Sequence, residues 1–240
     1  MPTAQAAATG DFLEMSLEEL VDYRLMSMSR KEQRVADMAA AAHVVSAEDI
    51  RRSGATSIPE ALRLVPGLNV AQISSNTWAV SARGFNNRLA GKLLVLVDGR
   101  NIYSPSFSGV LWESQDLVME DIERIEVIRG PGAALWGTNA MNGVINIVTR
   151  SAAANQGTLV SSTIGTGAMT STTLRQGGEL SGGGYYSVYG KQSRTGNSIE
   201  SDTGNHSNDG AHRKSAGIRI EPEVQGAQLT LQAEVHQSRS

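Results

Sequence analysis

Several residue types and patterns that mark common functional classes are missing from this sequence. It contains no cysteine among its 240 residues, so neither a disulfide nor a thiolate metal site can form. No apolar run reaches the ~20 residues that a membrane-spanning helix requires. The net charge is −3 and the basic residues form no stripe, which leaves nucleic-acid binding without an electrostatic basis.

Catalytic signatures are missing as well. No serine stands beside a plausible His/Asp pair, and the run GPGAALWG lacks the Lys-Ser/Thr ending of a phosphate-binding loop. His206 and His212 share a loop with Asp202 and Asp209, but a solvated loop explains this composition better than a metal site does. We therefore expect no enzyme, no metal centre and no cofactor.

The N-terminal segment, residues 1–34, contains one alternating stretch. A short helix is predicted after Ser16, because Ser16-Leu17-Glu18-Glu19 has the spacing of a capping box. Leu25-Met26-Ser27-Met28-Ser29 then alternates apolar and polar residues before a charged run. This pattern fits either a frayed linker or a strand that another protein binds by edge addition.

Residues 35–150 have the pattern of a compact α/β unit. Ser46 and Gly54 are placed to begin and end a helix over Ala47–Ser53. The Ser57–Glu60 run opens a second helix, again at capping-box spacing. Strands are predicted at Val44–Val45, Leu68–Ile73, Trp78–Arg83, Leu93–Val97, Ile122–Arg129 and Val144–Thr149.

The connections within this unit differ in character. Asp98-Gly99 fits a two-residue type I′ hairpin turn. Three other connections are polar or contain glycine, namely Ser74–Thr77, Asn86–Lys92 and Ser104–Ser114. They are the candidates for a binding surface, because loops commonly carry the functional residues of a domain.

Arg129 is the unusual residue of the predicted strand Ile122–Arg129. Strand alternation puts it on the same face as Ile125 and Val127. An unpaired charge on such an apolar surface is costly, so Arg129 requires a partner. That partner lies either within the unit, as Glu126 or a loop carbonyl, or elsewhere.

Residues 151–240 form Ser/Thr/Tyr-rich segments broken by glycines. Strands are predicted at Gly157–Ile164, Thr170–Arg175, Tyr185–Lys191, Ser215–Glu221 and Ala227–His236. The last two alternate between an apolar and a polar face, which suits a transmembrane β-barrel as well as a soluble β-sandwich. Even the smallest barrels take about 8 strands, so we expect the chain to be the front portion of a longer protein.

Five runs resemble, in order, the plug domain of TonB-dependent outer-membrane receptors. They are VVSAEDIRRSG, SIPEALRLVPGLNV, SARGF, LLVLVDGRNIY and, most specifically, IERIEVIRGPGAALWGTNAMNGVINIVT. The resemblance covers about residues 35–150, and residues 151–240 resemble the opening strands of the family's barrel. The upstream run SLEELVDYRLMSMSRKEQ is similar to the lead-in of one large subgroup. The implied fold is α+β: a plug with a small mixed sheet and short helices, followed by antiparallel β-strands of an incomplete transmembrane β-barrel.

The resemblance also implies a function. A receptor of this family lies in the cell outer membrane, contacts its lipid, and takes up a scarce small-molecule nutrient of the siderophore-iron, haem or cobalamin type. TonB, driven through ExbB and ExbD, pairs with a segment called the TonB box and pulls, so that the plug opens the barrel. The alternative is a truncated plug module that acts as a soluble periplasmic binding protein or persists as a non-functional remnant.

The same resemblance assigns candidate site residues. The TonB-box position matches Leu25, Met26, Ser27, Met28 and Ser29. The arginines of the RGF and IRGP motifs match Arg83 and Arg129, and are expected to meet carboxylates of the barrel wall in bidentate pairs that orient the plug. Ligand contacts are expected from the plug loops, at Ser75, Asn76, Asn86, Asn87, Arg88, Ser106 and Phe107.

Overall fold

The computed structural model describes residues 41–84, 86–89, 92–130, 138–167, 169–199, 204–224 and 227–239. Within residues 41–150, which we call the plug unit, two helices are described, α1 (Ala47–Ser53) and α2 (Ile58–Leu62). Its strands are β1 (Ala41–Ser46), β2 (Leu68–Gln72), β3 (Trp78–Ala82), β4 (Leu93–Val97), β5 (Arg100–Asn101), β6 (Ile122–Arg129) and β7 (Gly143–Thr149).

A mixed sheet in the order β1-β6-β7-β4-β5 forms the centre of the plug unit. Strands β4 and β7 are parallel, while β1, β6 and β5 pair with their neighbours in antiparallel register. All five residues of β4 are buried, because Val95 belongs to the main hydrophobic cluster and Leu94 and Leu96 to a second one on the opposite face. Strands β2 and β3 form a separate two-stranded sheet.

The predicted start and stop of α1 are confirmed. The Ser46 hydroxyl accepts a hydrogen bond from the Asp49 backbone N–H, the Asp49 carboxylate accepts one from the Ser46 N–H, and Gly54 ends the helix at φ 69°. The predicted start of α2 is confirmed, since Ser57 is its N-cap, but the predicted capping box does not form. Ser57 makes no capping bond, and Glu60 instead accepts hydrogen bonds from the N–H and hydroxyl of Thr56 at 2.6 and 2.7 Å.

The Asp98-Gly99 turn is confirmed as well. Asp98 and Gly99 have φ values of 49° and 78°, the positive pair that a type I′ turn requires. The turn joins β4 to β5 with Val97 opposite Arg100.

Residues after 150 form an antiparallel sheet, which we call the wall sheet. Its strands are β8 (Gly157–Gly165), β9 (Met169–Glu179), β10 (Gly184–Thr195), β11 (Ala211–Val224), β12 (Ala227–Gln228) and β13 (Leu231–Arg239). Neighbouring strands pair in chain order, with β12 and β13 both on β11. The described strands do not close into a barrel.

The middle strands of the wall sheet are longer than the sequence pattern predicts. Gly177 and Gly178, for example, are predicted to interrupt a strand but lie inside β9. A side chain at Gly177 would collide with the backbone of Asn155. Side chains at Gly178 and Gly217 would overlap the rings of tyrosines on the neighbouring strand. These glycines therefore permit close packing rather than ending a strand.

The two faces of the wall sheet are the reverse of those in a soluble sandwich. Its buried face, toward the plug unit, is polar and includes Thr173, Ser187, Lys191, Ser193 and Ser215. Its outward face exposes apolar side chains, namely Val160, Ile164, Leu174, Val188 and Ile218. Since a sandwich buries its apolar face, this arrangement contradicts the sandwich alternative.

In the described parts of the chain, no helix has both the length and the apolar composition needed to cross a membrane.

Candidate functional site: the interface between plug unit and wall sheet

Three aspartates of the plug unit form ion pairs with three cations of the wall sheet, an arrangement that we call the aspartate seam. The aspartates lie on connections of the plug unit, and the cations lie on three successive strands and point inward. The pairs are Asp121 with Arg175 on β9, Asp116 with Lys191 on β10, and Asp98 with Arg219 on β11. The seam therefore fastens the plug unit to three strands at once.

The Asp116–Lys191 pair is the most enclosed of the three. The side chains of Lys191 and Asp116 are only 7% and 10% exposed, with 2.7 Å between Nζ and Oδ1. Lys191 Nζ also donates to the backbone carbonyl of Leu117 at 2.8 Å, and the Ser215 hydroxyl donates to Asp116 Oδ2 at 3.1 Å. These extra hydrogen bonds matter because a buried pair offsets its desolvation only when its remaining donors and acceptors are satisfied.

Asp121 occupies a less favourable position. Arg175 Nη1 binds both Asp121 and, at 3.0 Å, Asn155 Oδ1. Burial raises the pKa of Asp121 above its ordinary value, although Arg175 acts in the opposite direction. Asp121 therefore stabilises the folded state fully below pH 3.8, the ordinary pKa of its carboxyl group. This stabilisation is lost as the pH rises through the raised pKa. At neutral pH, Arg175 offsets only part of the cost of burying this carboxylate.

Asp98 ties the end of the plug unit to β11. Its carboxylate accepts hydrogen bonds from the N–H and hydroxyl of Thr149 at 2.7 and 2.6 Å. Arg219 Nη1 lies 3.4 Å from the same carboxylate and donates to the Thr149 hydroxyl at 2.9 Å. Arg219 Nε also binds Glu221 at 2.5 Å, and Glu221 accepts from the Ala152 N–H at 2.9 Å.

The rest of this interface contains polar groups and a few apolar side chains, such as Leu159 and Met169, which line a cavity together with Ile50. Both hydrophobic clusters of the described chain consist of plug-unit residues only. A cavity of about 250 Å³ separates the plug unit from the wall sheet, and its lining includes Asn76, Glu113, Lys191, Ser193 and Arg213. The two parts are thus joined by ion pairs and hydrogen bonds rather than by a shared apolar core, as in interfaces that can separate.

Arg129, the residue that the sequence leaves without a partner, lies beside Gly67, where an added side chain would overlap its guanidinium group. Among the described residues no carboxylate forms an ion pair with Arg129, and its buried Nε has no hydrogen-bond partner. Glu126, the partner considered within the unit, instead binds Arg124 at 2.7 Å and Asn146 at 3.1 Å. Arg83 is exposed, with φ 58°. The pairing of both arginines with wall carboxylates stays a prediction.

The predicted ligand-contacting residues differ in exposure. Ser75 is 8% exposed and Asn76 is half-buried, whereas Asn86, Asn87, Arg88, Ser106 and Phe107 are exposed. An ion pair between Arg88 and Glu113 joins two of the candidate loops, and Glu113 lines the same cavity as Ser75 and Asn76. The three loops therefore converge on one region, and their contact with a ligand stays a prediction. The TonB-box residues Leu25–Ser29 lie outside the described residues.

The aspartate seam was not predicted from the sequence. Its partners are 54, 75 and 121 residues apart, so no local pattern connects them. A partial signal existed on the strand side, where Arg219 falls on the polar face of an alternating segment. The polar face implied a polar neighbour, but not which residues would supply it.

Comparison with known proteins agrees with the geometry. The family model described as TonB-dependent Receptor Plug Domain matches residues 34–144. The chain is 37% identical over 142 residues to the vitamin B12 transporter BtuB of Vibrio vulnificus, a match that covers 58% of this chain and 22% of the transporter. It is 31% identical over 143 residues to BtuB of Vibrio cholerae, covering 23% of that protein. The matches thus span less than a quarter of the curated relatives' length.

Solved structures extend the similarity into the wall sheet. The ferric-catecholate import receptor Fiu from E. coli K12 has a TM-score of 0.67 at 21% identity, covering 91% of this chain and 30% of Fiu. The ferric enterobactin receptor PfeA from Pseudomonas aeruginosa has a TM-score of 0.62 at 25% identity, covering 84% of this chain and 33% of PfeA. These relatives are receptors and transporters rather than enzymes. The chain therefore contains a TonB-dependent receptor plug domain followed by antiparallel strands, and it is similar to these transporters and receptors.

Proposed function

We propose that this chain is the N-terminal part of an outer-membrane receptor that takes up a scarce nutrient with energy supplied through TonB. In this proposal residues 1–34 carry the TonB box, residues 35–150 form the plug, and residues 151–240 begin the barrel. The plug blocks the barrel until TonB, working with ExbB and ExbD, pulls on it. The nutrient is a small molecule of the siderophore-iron, haem or cobalamin type.

The observation that carries this proposal is the orientation of the wall sheet. Ile164 and Val160 are 85% and 70% exposed on its outward face, which is costly in water and favourable in lipid. The inward face meets the plug unit through polar contacts that can be broken without exposing an apolar core. A soluble periplasmic binding module explains neither feature, so we place it second.

The substrate class rests on the relatives. They include a vitamin B12 transporter and receptors for ferric yersiniabactin and ferric enterobactin. The described loops at Asn86–Leu89 and Ser104–Gly109 expose Asn87, Arg88 and Phe107. That combination of amide, cation and aromatic ring suits a polar chelate with some apolar surface.

An uptake assay tests the proposal. The complete product of the gene is expressed in cells with and without TonB, and the accumulation of labelled cyanocobalamin, ferric siderophores and haemin is measured. We expect at least one of these compounds to accumulate in cells with TonB and to fall to the level of receptor-free cells without it. Equal accumulation of every compound in both strains would contradict the proposal.

A further inference from the structure

Asp209 connects the long loop between β10 and β11 to the plug unit. Its carboxylate accepts hydrogen bonds from the backbone N–H of Ser75 at 2.8 Å and from the N–H and hydroxyl of Ser198 at 2.8 and 2.7 Å. The Ser75 hydroxyl in turn donates to the backbone carbonyl of Asp209. Two segments 134 residues apart are thus joined by reciprocal bonds.

Both sides of this contact are held in place locally. On the plug unit, the Ile73 N–H donates to the Thr77 carbonyl at 2.8 Å, which closes the turn that presents Ser75. On the long loop, the Gly210 N–H donates to Asn197 Oδ1 at 2.8 Å. The described ends of the long loop, around Ser198 and Asp209, are therefore tied together beside the contact, which lowers the ordering entropy that opposes it.

The contact is charge-assisted. Burial alone would raise the pKa of Asp209, but the hydrogen bonds from Ser75 and Ser198 outweigh it and leave the pKa below its ordinary value. The carboxylate is thus ionised at neutral pH, and hydrogen bonds to an ionised acceptor are roughly twice as strong as neutral ones.

We propose that Asp209 and Ser75 form a clasp that fastens the long loop to the plug unit and that must open before the plug unit can move for transport. Asp209 is a positioning residue in this scheme, since it holds the turn at Ser74–Thr77 against the long loop. Both donors of Ser75 are engaged by Asp209, so recognition of a ligand falls first to the exposed residues of the other loops. The requirement that the clasp opens during transport rests on the proposed function. The existence of the clasp does not depend on that function.

The clasp can be tested without any transport. In membranes that contain the complete gene product, the variant Asp209→Asn keeps the size of the side chain but loses the charge and one acceptor oxygen. We expect proteinase K to cut the long loop roughly tenfold faster in this variant, as follows from losing a charge-assisted bond. Glu223→Gln, which changes an exposed carboxylate on β11, serves as the matched control and should be cut like the parent. Equal cutting of Asp209→Asn and the parent would overturn the clasp.

A disulfide cross-link tests whether the clasp between Asp209 and Ser75 must open during transport. Residues 1–240 contain no cysteine, so in a complete gene product from which any other cysteine has been removed, the double variant Ser75→Cys/Asp209→Cys introduces one defined disulfide. We expect the oxidised variant to bind the transported compound, to take up no more of it than cells without TonB, and to recover on reduction. The control pair Thr163→Cys/Ser171→Cys joins directly opposed residues of β8 and β9 and should leave uptake intact.

These experiments distinguish a failure of the opening requirement from a failure of the proposed transport function. Normal uptake by the oxidised Ser75→Cys/Asp209→Cys variant overturns the requirement for opening, while the proposed function stands. If the parent shows no TonB-dependent uptake, the proposed function fails and the opening requirement fails with it. The clasp is then tested by the proteolysis experiment alone, in which equal cutting of Asp209→Asn and the parent overturns it.

Discussion

Replacing Asp116 with asparagine should destabilise the plug unit against the wall sheet by about 3–5 kcal/mol, the usual cost of removing one partner from a buried ion pair. The reason is the position of Lys191, whose side chain is 7% exposed. In Asp116→Asn the ammonium group keeps its hydrogen bond to the Leu117 carbonyl but loses its counter-charge. It must then either remain buried unpaired or force the two parts to separate.

Denaturant unfolding of the complete gene product in detergent measures this effect. Trp78 and Trp112 are buried in the plug unit, so their fluorescence follows its release. The double variant Asp116→Asn/Lys191→Met removes both charges and should recover most of the lost stability, because a buried pair is often replaceable by apolar groups. Glu48→Gln removes a half-buried surface carboxylate that pairs with the exposed Arg51 and Arg52 on α1, and should change little, because surface ion pairs contribute little to stability.

An unchanged unfolding midpoint for Asp116→Asn would contradict the aspartate seam as the fastening of the plug unit. The aspartate seam would also be contradicted if Asp116→Asn/Lys191→Met were destabilised as strongly as Asp116→Asn. In that case the shape of the side chains, rather than the buried charge, would determine the stability of this contact.

Proline at Met26 or Met28 should abolish uptake while leaving ligand binding intact. The alternating stretch Leu25–Ser29 is predicted to pair with TonB as an added strand, and such pairing uses backbone N–H groups that proline lacks. Because the ligand is bound on the opposite side of the plug in this proposal, its affinity should not change. Uptake in the proline variants should equal that of cells without TonB.

Two control variants sharpen this test. Ala7→Pro places the same residue elsewhere in the N-terminal segment and should transport normally. Met26→Ala removes the side chain but keeps the backbone donor, and should retain most of the uptake. Normal transport by both Met26→Pro and Met28→Pro would refute the assignment of the TonB box to this stretch.

Local features of the fold were predictable where a few neighbouring residues determine them. The capping box at Ser46 and the type I′ turn at Asp98-Gly99 depend only on side chains and backbone angles within four residues, and both are confirmed. The apolar run Leu93–Val97 forms β4, which is buried throughout because hydrophobic clusters cover both of its faces. The start of α2 at Ser57 is also confirmed, but its capping box does not form because Glu60 accepts hydrogen bonds from Thr56 instead.

In the wall sheet, several features depend on contacts between residues distant in sequence and could not be predicted from local patterns. Alternation at β11 separated a polar from an apolar face, but only the packed structure shows that the polar face is the buried one. The glycines at 177 and 178 read as a break, because their role depends on Asn155 and on a tyrosine of the next strand. The aspartate seam and the Asp209 clasp join residues far apart in sequence, and they depend on how the two parts dock.

In the proposed receptor, the outward face of the wall sheet contacts lipid, while its inward face contacts the polar surface of the plug unit. Residues 1–240 contain no cysteine, so with any other cysteine of the complete gene product removed, single cysteines can be placed at outward Val160, Ile164 and Leu174 and at inward Ser161 and Thr173. Each is spin-labelled in outer-membrane vesicles that contain the complete gene product, and relaxation by oxygen and by a water-soluble nickel chelate is compared. The account predicts that the three outward labels respond to oxygen and are shielded from the chelate, and that the inward labels show no such preference for oxygen. Outward labels that respond to the nickel chelate as strongly as a label on the exposed loop residue Asn87 would contradict it.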